Sequence, residues 1–306
     1  MAHVEGSAPP SETQPPGFPA IGGRLRRALG HPWWPLVAAW LLLLVLAART
    51  DALLGMLIAL AFAGAFLAGL VGVGGAIVMI PLLLYVPPLA GLSTLDIKTI
   101  AGITMVQVAV AAFTGLVGHL EGIDRRLFVA LAPAMVVASF GGAFVSKYVD
   151  PVVLEAVFAG MATIAAVMTL TLRGRTAPEE ERVVVNRPVA LAVGSGVGFV
   201  AGLVGAGGAF FLIPVMLYGM RVPVRVTVGT SLAVVAASAA AGLVGKVATG
   251  QVDWLLAMGL VVGAMPGARL GSWVSRRTRT DRLVVVLGIA IGLVAIRMWR
   301  TILGGG

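Results

Sequence analysis

Hydrophobic positions in this chain run together in long uncharged blocks instead of alternating with polar ones. No charged residue occurs between Asp51 and Asp96, or between Arg187 and Arg221. As a single helix, the shorter of these gaps would be about 50 Å long, against a bilayer hydrocarbon core of about 30 Å. Each block must therefore break or turn back. Single spans of ordinary length fit at about 98–118, 127–148, 151–172, 225–246, 253–274 and 283–300. The pattern predicts an all-α, polytopic membrane protein.

The place where each long block breaks is marked by a repeated motif. Gly69-Leu-Val-Gly72-Val-Gly74-Gly75-Ala76-Ile-Val-Met-Ile-Pro81 returns 133 residues later as Gly202-Leu-Val-Gly205-Ala-Gly207-Gly208-Ala209-Phe-Phe-Leu-Ile-Pro214, with every glycine and the proline in register. The duplication continues beyond it. Lys98-Thr-Ile-Ala-Gly-Ile-Thr104 aligns with Arg225-Val-Thr-Val-Gly-Thr-Ser231, and Gly115-Leu-Val-Gly118-His119 with Gly242-Leu-Val-Gly245-Lys246, both at an offset of 127. The reading is two four-span repeats, each opening with a Gly/Pro-broken helix, at residues 51–172 and 188–302. A polar linker, 173–187, joins them. Before them come a Pro-rich tail with a basic end (1–32) and a candidate extra transmembrane helix (33–50), preferred over a signal peptide because Arg24, Arg26 and Arg27 lie deep in the chain and the cleavage site is poor.

Composition narrows the class further. Hydrophobic residues make up 59% and charged residues 11% of the chain, so lipid is the solvent for most of it. The net charge of +9 then reads as arginines at headgroup level, not as a nucleic-acid surface. With no cysteine and only His3, His31 and His119, neither a metal site nor a cofactor is expected. All thirteen acidic residues fall in the tail, in loops or within about a turn of a span end. A carrier of cations or protons usually keeps a carboxylate at depth, so this distribution favours an anion.

The glycine motif has a plain reading, close helix packing, and a functional one. Adjacent glycines open backbone angles closed to other residues, and a proline frees a carbonyl one turn earlier. In lipid such groups survive only where protein or a water-filled cavity satisfies them. Amides bared at the two breaks can hold an anion without a charged side chain. The substrate-binding candidates are therefore Gly72, Gly74, Gly75, Ala76 and Pro81, with Gly205, Gly207, Gly208, Ala209 and Pro214. Thr104, Gln107, Thr230 and Ser231, inside the helices that follow, are candidate hydrogen-bond donors. Any one hydroxyl can instead bond back to its own helix, but the Gln107 amide cannot. Lys98, Arg225, His119, Lys246 and Arg269 are candidate vestibule cations; the plainer reading is that they snorkel to the interface.

Through the paired motif, Val228-Gly-Thr-Ser-Leu232 and Gly267-Ala-Arg-Leu-Gly271, the chain resembles the sulfite exporter TauE/SafE family over about residues 52–300. The resemblance implies about eight spans in two halves and a plasma-membrane permease, in bacteria the inner membrane. Its substrate would be a small anion such as sulfite, a sulfonate or a related sulfur-containing organic acid. Membrane lipids and a second copy of the chain are the other candidate partners. An anion channel shares these features. An intramembrane hydrolase built on Gly229-Thr-Ser231-Leu lacks a nearby histidine base.

Overall fold

The apolar runs become helices because a backbone away from water must satisfy its own N–H and C=O groups. The computed structural model describes Arg49 and residues 51–71, 76–117, 120–171, 186–275 and 280–304. Within them lie ten α-helices: α1 (Ala52–Val71), α2 (Ala76–Leu89), α3 (Ile97–Val117), α4 (Arg125–Val145), α5 (Pro151–Thr171), α6 (Arg187–Val204), α7 (Ala209–Pro214), α8 (Val224–Ala248), α9 (Trp254–Ser275) and α10 (Thr280–Leu303). The expected spans from 98 onward coincide with α3, α4, α5, α8, α9 and α10. Six helices, α3, α4, α5, α6, α8 and α9, are long and apolar enough to cross a membrane. The tail, nearly all of the candidate extra helix and of the linker, Gly72, Gly74, Gly75 and His119 lie outside the described residues.

Helix starts explain where the aspartates went. Asp124 accepts the Leu127 N–H at 2.9 Å at the head of α4, and Asp253 accepts that of Leu256 at 3.1 Å at the head of α9. Asp51, Asp96 and Asp150 bond the amides of Leu53, Lys98 and Val152 in the same way. Each carboxylate caps first-turn amides that have no partner within the helix. These acidic residues mark element boundaries.

The two halves interlock. α1 packs most extensively on α9, and α4 on α6, so the opening helix of each half lies against the fourth helix of the other. Both contacts are made through glycines spaced four apart. Gly259, Gly263 and Gly267 of α9 meet Leu54, Ile58 and Phe62 of α1, while Gly194, Gly198 and Gly202 of α6 meet Leu131, Met135 and Ser139 of α4. Numbers rise together along both members, so each pair runs parallel. Small residues at this spacing let backbones approach where larger ones would hold them apart. The equivalent helices α3 and α8 run antiparallel: Gly102 near the start of α3 meets Gln251 beyond the end of α8, and Gly229 near the start of α8 meets Gly122 beyond the end of α3.

Each long block doubles back at its break. Gly208 faces Ala201 and Val197 of the helix it has just left, and Gly64 of α1 faces Met79 and Leu82 of α2. Neither contact is geometrically available to a straight helix. α1–α2 and α6–α7 are therefore hairpins. After Pro214 the chain continues as one π-helical turn, Val215–Gly219, which carries it towards α8.

A side chain at Gly198 would bring its Cβ within 2.6 Å of the Met135 carbonyl oxygen, whereas Gly160 has nothing within 4 Å. Gly198→Leu should therefore destabilise the protein by about 2 kcal/mol or more, by overpacking. Gly160→Ala should be neutral or stabilise by up to about 1 kcal/mol, by helix propensity. Thermal unfolding of the purified variants in detergent measures both.

Candidate functional site

The second break is built from four small residues, three of them glycines at positions with no room for a side chain. α6 ends at Val204, and Gly205, Gly207 and Gly208 take φ of 77°, 65° and 77°. Those left-handed angles cost a residue with a Cβ about 1–2 kcal/mol each. A Cβ at Gly205 would also overlap the Ala101 backbone of α3, and one at Gly207 the Val108 side chain. The Gly205 and Ala206 amides both bond the Ala201 carbonyl, at 2.9 and 3.1 Å. Those of Gly207 and Gly208 find no acceptor among the described residues. Gly205 to Gly208 are all buried, as are Ala209 and Pro214.

α3 brings two of the predicted polar residues to this loop. The Thr104 hydroxyl lies 2.7 Å from the Ile100 carbonyl and 3.1 Å from that of Gly205, so its proton is shared between its own helix and the break. One turn on, Gln107 is 4% exposed, and its side-chain oxygen has no hydrogen-bond partner among the described residues. Leaving a buried amide unpaired costs about 1–3 kcal/mol. Two bare backbone amides and one bare side-chain oxygen thus belong to neighbouring turns of one packed region.

The remaining candidates separate. Thr230 is buried and accepts the Asp124 N–H at 2.9 Å, so it braces the head of α4 at the far end of α3, away from the Gly205 loop. Ser231 donates back to the Val228 carbonyl. Both displacements follow from the antiparallel course of α3 and α8, which puts the start of one beside the end of the other. Ala76 and Pro81 are buried in α2, beside the undescribed first break.

Among the expected vestibule cations, Lys98 donates to the Lys147 carbonyl at 2.8 Å, beyond the end of α4. Arg269 is exposed on α9 and Arg225 lies in the first turn of α8. Lys246 departs from the expectation: it is wholly buried. Its Nζ donates to Ser146 Oγ at 2.7 Å and to Gln251 Oε1 and the Leu203 carbonyl at 3.1 Å each. The cause is Gly245, whose close approach to Phe140 and Ala143 draws the last turn of α8 against α4 and turns the lysine inward. The sequence reading missed Ser146, Thr249 and Gln251, which form this nest. It also missed Ser139, buried with an unpaired hydroxyl near Gly242. Nothing in the linear pattern distinguishes them from ordinary helix-end polar residues.

Residues 56–298 match the family model described as Sulfite exporter TauE/SafE. The probable membrane transporter protein YunE of Bacillus subtilis is 26% identical over 79% of this chain and 96% of its own length. A probable membrane transporter protein of Xylella fastidiosa is 30% identical over 77% of this chain and 91% of its own. One from Methanocaldococcus jannaschii is 23% identical over 80% and 95%. No solved structure matches.

Thr104→Val keeps the shape of the side chain and removes its bond to the break. It should cost about 1 kcal/mol of stability. Amide exchange at Gly205–Gly208 should quicken more than elsewhere. Thermal unfolding and hydrogen exchange read the two effects; unchanged exchange at the loop would contradict the bracing role of Thr104.

Proposed function

The chain belongs to the sulfite exporter TauE/SafE family, and from that premise we propose that it carries a small oxyanion across the plasma membrane. The substrate class is sulfite, a sulfonate or a related sulfur-containing organic anion. The family and the named relatives make the chain a multi-pass membrane transporter. The choice of an anion rests on the site.

One observation carries that choice: the donors left without acceptors sit together at the second break. The Gly207 and Gly208 amides offer two N–H groups, and Gln107 beside them adds an unpaired acceptor oxygen on a side chain whose NH2 is able to donate. An oxyanion that still carries a proton, such as hydrogen sulfite, matches that mixture. The five boundary aspartates are engaged as helix caps, so none stands ready as a cation ligand at this depth. Gly72, Gly74 and Gly75 are the residues of the first half that the sequence duplication aligns with Gly205, Gly207 and Gly208.

The break is buried, so an anion reaches it only when the α6–α7 hairpin moves relative to α3. The glycines permit that movement, and Thr104 holds the closed position. Antiparallel, equivalent halves offer the same movement towards opposite faces, which is the geometry alternating access requires.

Sulfite should raise the unfolding midpoint of the purified protein in a concentration-dependent way, as should any ligand that binds the native state. Gln107→Leu should lower kcat/KM for [35S]sulfite uptake into proteoliposomes about 10-fold or more while leaving folded protein, the usual scale for losing a hydrogen bond to a charged group. Stabilisation by cations alone, or unchanged uptake by the leucine variant, would overturn the proposal.

A further inference from the structure

A lysine at the end of a membrane helix ordinarily extends its stem and delivers its ammonium to water. Lys246 instead points inward with no exposed surface. Its three N–H groups are met by a hydroxyl, a side-chain amide oxygen and a backbone carbonyl. The two side-chain acceptors are each held in orientation by a further bond. Ser146 lies 2.6 Å from the Ala143 carbonyl, and Gln251 donates its NH2 to Thr249 Oγ1 at 2.7 Å, which fixes its oxygen towards the lysine. Thr249 in turn lies 2.8 Å from the Gly245 carbonyl. The hydrogen bonds of the ammonium are thus complete, yet its charge is not compensated: no carboxylate is among its partners in the described residues. Among the described residues, help comes from the negative ends of helix dipoles: that of α6, through Leu203, and that of α8, in whose last turn the lysine lies. Buried charges are ordinarily paired, and this lysine has no partner of opposite sign among the described residues.

The third acceptor lies beside the second break: Leu203 is in the last turn of α6, two residues before Gly205.

We propose that Lys246 is the resident counter-charge for the transported anion. In the closed state its ammonium rests on Leu203, Ser146 and Gln251. When the hairpin opens, it exchanges the Leu203 carbonyl for an oxygen of the anion held by the Gly207 and Gly208 amides. The inference rests on the transporter reading above, and it adds the specificity element that reading lacks: a fixed positive charge favouring anions over neutral solutes of similar shape. The first half has His119 at the corresponding position in sequence, so the two breaks are not served by the same cation.

The test is [35S]sulfite uptake by proteoliposomes containing wild type, Lys246→Gln, Lys246→Arg or Gln251→Leu, with KM and kcat read separately. Lys246→Gln should raise KM about 10-fold or more, and Lys246→Arg should restore it to within about 3-fold of wild type. Gln251→Leu keeps the charge and removes a competing acceptor, so it should lower KM about 3-fold. That opposite sign keeps the proposal falsifiable if the glutamine variant does not fold. A lysine with a purely structural role would lower the unfolding midpoint in all three variants and leave KM where it was, and that result overturns the counter-charge while leaving the transporter reading intact. Wild-type protein that neither moves nor is stabilised by sulfite, sulfonates or carboxylates removes the premise and the proposal together.

Discussion

Away from water, every polar group in a helical protein must find its partner inside the protein or keep an unmet bond. This constraint organises the chain at every scale. It turns each apolar block into helix and places aspartates at the helix starts, where they close the amides that helix geometry leaves open. Thr104 and Ser231 bond back to carbonyls for the same reason, and Lys246 lies among three neutral acceptors. The groups that escape among the described residues are therefore informative; they include the amides of Gly207 and Gly208, the side-chain oxygen of Gln107 and the hydroxyls of Tyr85 and Ser139. Three of these five belong to one region, the second break and the turn of α3 beyond Thr104, where the ligand of a transporter would complete the set.

Glycine does two different jobs in reaching that arrangement. In α6 and α9 it is spaced at four residues and serves only to bring backbones together, which is why the strongest contacts join α4 to α6 and α1 to α9 across the halves. In Gly205, Gly207 and Gly208 it accepts left-handed angles and turns the chain back on itself. Because the two uses adjoin, the break is a sharp turn set on a tightly packed frame, which the proposed carrier would use as a joint. A carrier needs that combination of a rigid body and a hinge short enough to be controlled by single bonds such as those from Thr104 and Lys246 to the α6 terminus.

Much of this was legible in the sequence because hydrophobic blocks and glycines act locally. The span positions followed from where charges are absent, and the need for a break followed from length alone. The all-helical, multi-pass class and the family reading came from those features and the paired motif. What the sequence could not supply was direction. Thr230 and Ser231 align with the neighbourhood of Thr104, so they read as members of one site. The antiparallel course of α3 and α8 carries them to the opposite end, where Thr230 supports the cap of α4. Lys246 misled for a related reason. Two residues from a helix end it reads as interfacial, and only the approach of Gly245 to α4, a contact about 100 residues away in sequence, turns it inward. Gln107 was legible because its chemistry does not depend on direction: a primary amide in a span has no back-bonding option anywhere.

A carrier of the proposed kind opens its site to one face at a time by hairpin movement. Counterflow tests that most directly. Proteoliposomes loaded with unlabelled sulfite and diluted into trace [35S]sulfite should accumulate label transiently above its equilibrium level, because a carrier returning with internal substrate brings label in faster than label leaves. A monotonic approach to equilibrium with unsaturable flux would contradict the account and identify an open pathway instead.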